Sequence, residues 1–338
     1  KISIDGPHRP ADVAKNFTLE CWIKCDAGDN NGTVSAAANG DGWITGNIFF
    51  DRDVFGPGDY GDFGLSIGSY SGGPVNTRVV AFGIDRLGTG ITIRGSINVA
   101  DNQWHHVAVT RNASNGKVKL YIDGQLEASG NGPTGNVSYR NNRLTSYPNS
   151  DPFIVLGAEK HDAGEAYPSF NGYFDELRLS TIVRYSSNFT PPANEFLTDA
   201  KTAGLYHFNE GSGSSVNDVS GASGGPSNGS IQFGGSPVGP EWSADSPFGL
   251  KSGEEGDALP PAIEIFPNPN SGQFMVNIRQ SGSKICITDL NGKLIGENNF
   301  PEAGLYPVQL PEVSGGVYFL HYLNREGNAT VIQLLLAE

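Results

Sequence analysis

The sequence predicts an all-β protein of two unequal domains, and three observations predict it. Strand-length runs of alternating apolar and polar residues recur along the chain; 46 glycines and 21 prolines punctuate them; and nowhere do apolar residues hold a helical period for three turns. At 338 residues the chain is too long for one ordinary sandwich and long enough for each of two domains to bury a core.

The first strand signal is Phe17, Leu19, Cys21 and Ile23 alternating with Thr18, Glu20, Trp22 and Lys24, one greasy face and one polar one. The clearest local unit runs from Trp104 to Ala128. There Trp104 to Arg111 is followed by the turn residues Ser114-Asn115-Gly116, then by Val118, Leu120 and Ile122 in alternation. Asp123-Gly124 signals a type I′ hairpin, whose two central residues need positive φ, and Gln125 to Ala128 returns as the next strand. Further strands are expected at 79–84, 91–97, 153–156, 172–179 and 204–208. The Gly-, Ser- and Asn-rich stretch 211–235 reads as a long surface loop, and the aperiodic stretch 243–261, with its prolines, glycines and acids, as a linker. We therefore set domain bounds of 1–245 and 263–338 around a linker at 246–262. After the linker, apolar positions from Ile263 to Leu334 supply about seven short strands, the count of a small immunoglobulin-like β-sandwich.

The formal net charge of −14 repels phosphate backbones and anionic lipid surfaces, which argues against a nucleic-acid partner. No run approaches the roughly 20 apolar residues of a membrane-spanning helix. The opening residues lack the regions of a signal peptide, so an exported chain would already have lost its leader. Cys21, Cys25 and Cys286 make a poor disulfide framework: the count is odd, and four residues along one strand span ~13 Å, beyond disulfide reach. They read as buried small hydrophobes.

The segments Asn16-Phe-Thr-Leu-Glu-Cys-Trp22, Trp104-His-His-Val-Ala-Val-Thr110, Leu120-Tyr-Ile-Asp-Gly124, Gly172-Tyr-Phe-Asp-Glu-Leu-Arg178, Arg184-Tyr-Ser-Ser-Asn-Phe-Thr-Pro-Pro192 and Leu205-Tyr-His-Phe-Asn-Glu-Gly211 together resemble the laminin-G-like, concanavalin-A-like jelly rolls. The resemblance implies a jelly-roll sandwich over most of 1–245. That fold carries lectins, adhesins, glycanases and structural modules alike. From residue 263 the chain resembles the type A C-terminal sorting domains of the type IX secretion system of Bacteroidetes. Pro267, Asn268, Pro269 and Gly272 carry the resemblance in the first motif, Asp289 and Gly292 in the second, and Gly316 and Tyr318 in the third. The family usually ends in a lysine-bearing strand, whereas this chain ends Leu334-Leu-Leu-Ala-Glu338. The resemblance implies export across the outer membrane, contact between residues 263–338 and the secretion machinery, and removal of that domain on surface attachment or release.

Catalysis is not expected. Retaining glycanases of the jelly-roll group use Glu-x-Asp-x-x-Glu on one strand, bringing two carboxylates about 5 Å apart, and no such run exists here. Asp175 and Glu176 are adjacent and should face opposite sides of their strand, one of them pairing with Arg178 or binding backbone. His105 and His106 face opposite sides in packing or hydrogen-bonding roles. The other histidines, His161 and His207 among them, look scattered. For calcium, the oxygen-rich loops Asp26, Asp29, Asn31 and Asp51, Asp53 are the candidates, with Asp5 and Asp175 as the pair suggested by the family. For glycan stacking the loop aromatics Trp43, Tyr60, Tyr70, Tyr147 and Tyr167 are the candidates. The expectation is a secreted or cell-surface binding module, adhesin or lectin-like, with glycans or surface proteins as partners of 1–245. A structural coat or filament protein and a polysaccharide hydrolase with another kind of site are the alternatives.

Overall fold

The computed structural model describes residues 1–4, 10–53, 61–138, 154–161, 163–233, 239–249, 263–266, 272–278, 281–290, 292–310, 313–323, 325 and 329–336. Tyr60, Tyr147, Asp5, Pro267, Asn268 and Pro269 lie outside them. The chain forms two units, Lys1–Glu254 and Glu255–Glu338, and every described element is a strand.

In the first unit, fourteen strands make two antiparallel sheets. In chain order they are β1 (Ile2–Ile4), β2 (Phe17–Cys25), β3 (Asn47–Asp51), β4 (Phe63–Gly68), β5 (Val79–Arg86), β6 (Thr89–Arg94), β7 (His105–Arg111), β8 (Lys117–Ile122), β9 (Gln125–Asn131), β10 (Ile154–Leu156), β11 (Gly172–Ser180), β12 (Thr202–Tyr206), β13 (Ser215–Val216) and β14 (Gly229–Ile231). One sheet has the order β13-β14-β1-β10-β3-β4-β5-β6 and the other β12-β11-β2-β7-β8-β9. The greasy face of β2 supplies Phe17, Leu19, Cys21, Ile23 and Cys25 to the core between the sheets, where Phe17 stacks on Phe63 with ring centroids 5.1 Å apart. Cys21 and Cys25 are buried free thiols, and burial pushes the Cys25 thiol up to about 12, as an apolar packing role requires. Cys286 is only half-buried.

Two sequence expectations are corrected here. The stretch 211–235 contains β13 and β14, and β14 pairs with β1. Backbone hydrogen bonds to an edge need no side-chain period, so the pairing leaves no pattern to read. Alternation also fails on both faces of β2: Thr18 and Glu20 are as buried as Leu19, because segment 181–199 folds over the outer face. Its contacts include Thr18 Oγ1 donating to Ile182 O at 2.8 Å and Tyr185 stacked on Phe189 at 3.5 Å.

The hairpin between β8 and β9 turns at Asp123 and Gly124 with φ of 49° and 75°, the pair of positive values a type I′ turn demands. A Cβ on Gly124 would sit 1.9 Å from Phe189 O, so the turn and the covering segment together require glycine. Asp123 also receives the His106 N–H and faces His105 Nδ1 at 2.8 Å, while His105 Nε2 lies 3.1 Å from Asp101. Burial would lower the pKa of His105, but its two carboxylate partners win and raise it above 6.5. Burial would raise that of Asp123, but His105 and the His106 amide hold it below 3.8. The histidine contribution is full below pH 6.5 and lost as pH rises through the raised folded value; the carboxylate contribution is full above 3.8 and lost as pH falls through the lowered one. Protection of the hairpin amides in hydrogen exchange should therefore be greater at pH 5.5 than at pH 8.5. A pH-independent profile in wild type, or the same loss in His105→Gln, would refute the assignment.

In the second unit seven strands follow: β15 (Ile263–Phe266), β16 (Gln273–Ile278), β17 (Ser283–Thr288), β18 (Leu294–Phe300), β19 (Gly304–Gln309), β20 (Gly316–Leu323) and β21 (Ala329–Leu336). They form sheets ordered β15-β16-β19 and β18-β17-β20-β21, with Phe274, Val276, Ile285, Ile287 and Leu320 among the buried residues between them. The motif residues shape turns and strand ends. Gly272 O accepts the Leu310 N–H, and Asp289 Oδ1 accepts the Lys293 N–H in the turn containing Gly292. Tyr318, which follows Gly316 at the start of β20, donates its hydroxyl to Ser314 O.

Candidate functional site

A cleft of about 890 Å³ opens in the first unit. Its wall is the start of β11 with the loop before it, from Pro168 to Asp175, and the end of β10 closes one side. Residues Asp29 and Asn31 follow β2, Trp104 precedes β7, and the segment 239–245 returns from the end of the domain to complete the rim.

Amides fix these loops to one another. Asn30 donates to Asp26 O and Asn171 O and accepts the Asn171 N–H. Asn47 accepts the Gly32 N–H and donates to Ser169 O. The returning segment is fixed by side chains. Trp242 Nε1 donates to Gly213 O at 2.8 Å, Asp245 receives Trp104 Nε1 at 3.0 Å and Lys24 Nζ at 2.5 Å, and Phe248 packs edge-on against Trp22. These aromatic and acidic side chains thus join residues 242–248 to the sandwich. Partial burial would raise the pKa of Asp245, but Lys24 and Trp104 hold it below the usual carboxylate range. Beside this knot Trp104 meets Tyr173 edge to face at 6.1 Å, and Lys24 Nζ lies 5.3 Å from the Tyr173 ring centre. The result is a cleft with aromatic faces flanked by carboxylates and amides, the pairing that binds polyhydroxylated rings.

Of the residues expected to serve, Asp29 and Asn31 line this cleft. Trp43 is buried at 4% exposure on the outer face of the eight-stranded sheet, in a small cluster with Val34, Ile48, Val79 and Ala81; it anchors its loop and offers no open face. Tyr70 packs against the same cluster, with the Arg94 guanidinium 3.8 Å from its ring centre. Tyr167 is half-buried in the loop just before the cleft wall. Sequence reasoning missed Trp104, Tyr173 and Trp242. The first two sit inside segments that signalled the fold, and the third sits next to the linker, so none read as a loop platform.

In the oxygen-rich loops, several of the oxygens a calcium ion would need accept backbone N–H groups. Asp26 Oδ1 is taken by the Gly28 N–H in a turn. Asp51 is fully buried, its two oxygens accepting the Asp53 and Lys160 N–H groups, and burial, then the nearby Asp53 charge, pushes its carboxyl up to about 8. Asp53 instead converges with Glu159 and His161, and Glu176 with Glu195 and His207, each set holding its donor atoms within 4.8 Å. These two histidines are therefore not isolated. Of the two alternatives for Asp175 and Glu176, bonding to backbone holds and pairing with Arg178 does not. Glu176 adopts a φ of +50° at a bulge, both side chains are buried, and Glu176 bonds His207 and the Phe196 N–H. Arg178 pairs with Glu20.

Residues 3–187 match the family described as the concanavalin A-like lectin/glucanases superfamily, and residues 264–336 match the secretion system C-terminal sorting domain. No curated protein matches the chain. Similar solved structures include a candidate carbohydrate-binding protein from Bacteroides ovatus, with 19% identity over 64% of this chain and 51% of that one and a TM-score of 0.38. The match thus spans about half that protein's length. A heptameric SAP-like pentraxin from Limulus polyphemus shows 15% identity over 54% of this chain and 76% of that one, and CBM40 of the Ruminococcus gnavus IT-sialidase bound to α2,3 sialyllactose shows 15% over 52% and 80%, both at a TM-score of 0.33. All three lie below a TM-score of 0.5, and none bears on the ligand. The chain belongs to the concanavalin A-like lectin/glucanases superfamily and carries a type IX C-terminal sorting domain, which directs it to the cell surface or the medium.

Proposed function

We propose that the first unit is a non-catalytic glycan-binding module, carried to the outside of the cell by the sorting domain. The observation that carries this reading is the cleft that brings Trp104, Tyr173 and Trp242 to one site with Asp29, Asn31 and Asp245. Aromatic faces take the apolar side of a sugar ring, and carboxylates and amides accept and donate to its hydroxyls. Support for binding without turnover comes from the engagement of the inner carboxylates in structure: Asp245 is held by Lys24 and Trp104, and Asp175 accepts the Glu176 N–H.

Trp104→Ala should weaken glycan binding about tenfold or more, since it removes a stacking face and one of the two donors that hold Asp245. Binding of the full chain to a glycan array, with and without calcium, tests this. Trp104-dependent binding without release of reducing ends supports the module. A blank array would move the reading to a protein-binding or structural surface role, and release of reducing ends would make the protein a hydrolase.

A further inference from the structure

Resting on that reading, we propose that the cleft selects sugars by charge, favouring a ring that carries a protonated primary amine and refusing acidic sugars. Among the described lining residues there are four carboxylates, Asp29, Asp175, Glu241 and Asp245, and one cationic side chain, Lys1. Lys1 directs its Nζ to Lys160 O, whereas Asp29 and Glu241 are exposed at the cleft. Neither of those two is engaged in a hydrogen bond or ion pair among the described residues. Two carboxylates with unused acceptor oxygens, set among indole and phenol rings, present what an ammonium group on a hydroxylated ring requires: charge-assisted acceptors and a π face.

The protein already contains an example of this recognition. The Lys24 ammonium is clasped at the cleft edge between the Asp245 carboxylate, at 2.5 Å, and the Tyr173 ring, 5.3 Å from its centre. An amine on a bound sugar would meet the same pair of partners, a carboxylate and an aromatic face, at Asp29 or Glu241 with Trp104 or Trp242. A carboxylate or sulfate on the sugar would instead face like charges, and like-charge juxtaposition works against binding. N-acetylation removes the positive charge and with it the advantage.

The test measures binding of the full chain to glucosamine, N-acetylglucosamine, glucose and galacturonate oligomers of matched length by titration calorimetry at low and high salt. Wild type, Asp29→Asn/Glu241→Gln and Trp104→Ala are compared. The expected result is binding of the amino oligomer about tenfold tighter than its N-acetylated counterpart, no binding of the galacturonate oligomer, and loss of the amine preference at high salt and in the double variant. Equal affinity for amino and N-acetyl oligomers, or Trp104-dependent binding of galacturonate, would overturn the charge selection while leaving the glycan-binding module standing. Absence of binding by every oligomer, together with a blank glycan array, would overturn the module itself.

Discussion

Glu20→Gln should cost the first unit about 3–5 kcal/mol. Glu20 is fully buried on the outer face of β2. Its Oε1 accepts Arg178 Nε and Nη2 at 2.9 and 2.8 Å, and its Oε2 accepts the Tyr185 hydroxyl at 2.7 Å with His106 Nε2 at 3.4 Å. Burial alone would raise the Glu20 pKa, but the neighbouring His106 imidazole and the charge of Arg178 hold it below 4.5. Removing the charge leaves Arg178, itself buried over the Phe196 ring, without its counter-ion. Against the 5–15 kcal/mol that holds a typical domain folded, that is a large fraction. The sign in pH follows from the lowered value: the Glu20 contribution is present above about 4.5 and is lost as pH falls through its folded pKa, so the variant should lose part of the acid limb of the stability curve. Urea unfolding followed by tryptophan fluorescence reads this unit alone, because Trp22, Trp43, Trp104 and Trp242 all lie in it. A double variant, Glu20→Met/Arg178→Met, removes both charges and should be more stable than Glu20→Gln. If Glu20→Gln unfolds within 1 kcal/mol of wild type, the network is not holding the covering segment.

Trp43→Ala should cost about 3–5 kcal/mol, as expected for emptying a buried indole site. The indole lies on the outer face of the eight-stranded sheet over Gly64 of β4 and Gly83 of β5, which are direct neighbours across the strand pair. A Cβ on Gly64 would fall 2.1 Å from Trp43 Cη2, and one on Gly83 1.9 Å from Trp43 Cδ1. Paired glycines weaken a sheet unless something fills the trough they leave, and here the tryptophan fills it. The three atoms nearest the built Gly64 Cβ all belong to the indole, which predicts coupling: Gly64→Ala should be strongly destabilising in wild type and much milder in the Trp43→Ala background. Additive losses in the double variant would show that the indole and the glycine trough are independent.

The residues themselves determined the class of the protein and most of its strands. Alternation along β2, β7 and β8 is a property of the extended chain, in which successive side chains face opposite ways, so it survives in the bare sequence. The Asp123-Gly124 turn was equally legible, since only residues tolerant of positive φ suit it, and the turn residues of the sorting domain were readable for the same reason.

Tertiary structure alone decided what lies over each sheet face and which residues meet. Glu20 reads as the polar side of an amphipathic strand and becomes a buried ion because a segment some 165 residues away in sequence, at Tyr185, folds over it. Trp43 reads as a free loop aromatic and becomes buried because two glycines from different strands make room for it. The cleft draws on Asp29, Trp104, Tyr173 and Trp242, residues with no common period or spacing. Proximity between distant segments depends on strand order in the sheets and on the backbone and side-chain bonds that fix the loops, and no local pattern encodes either.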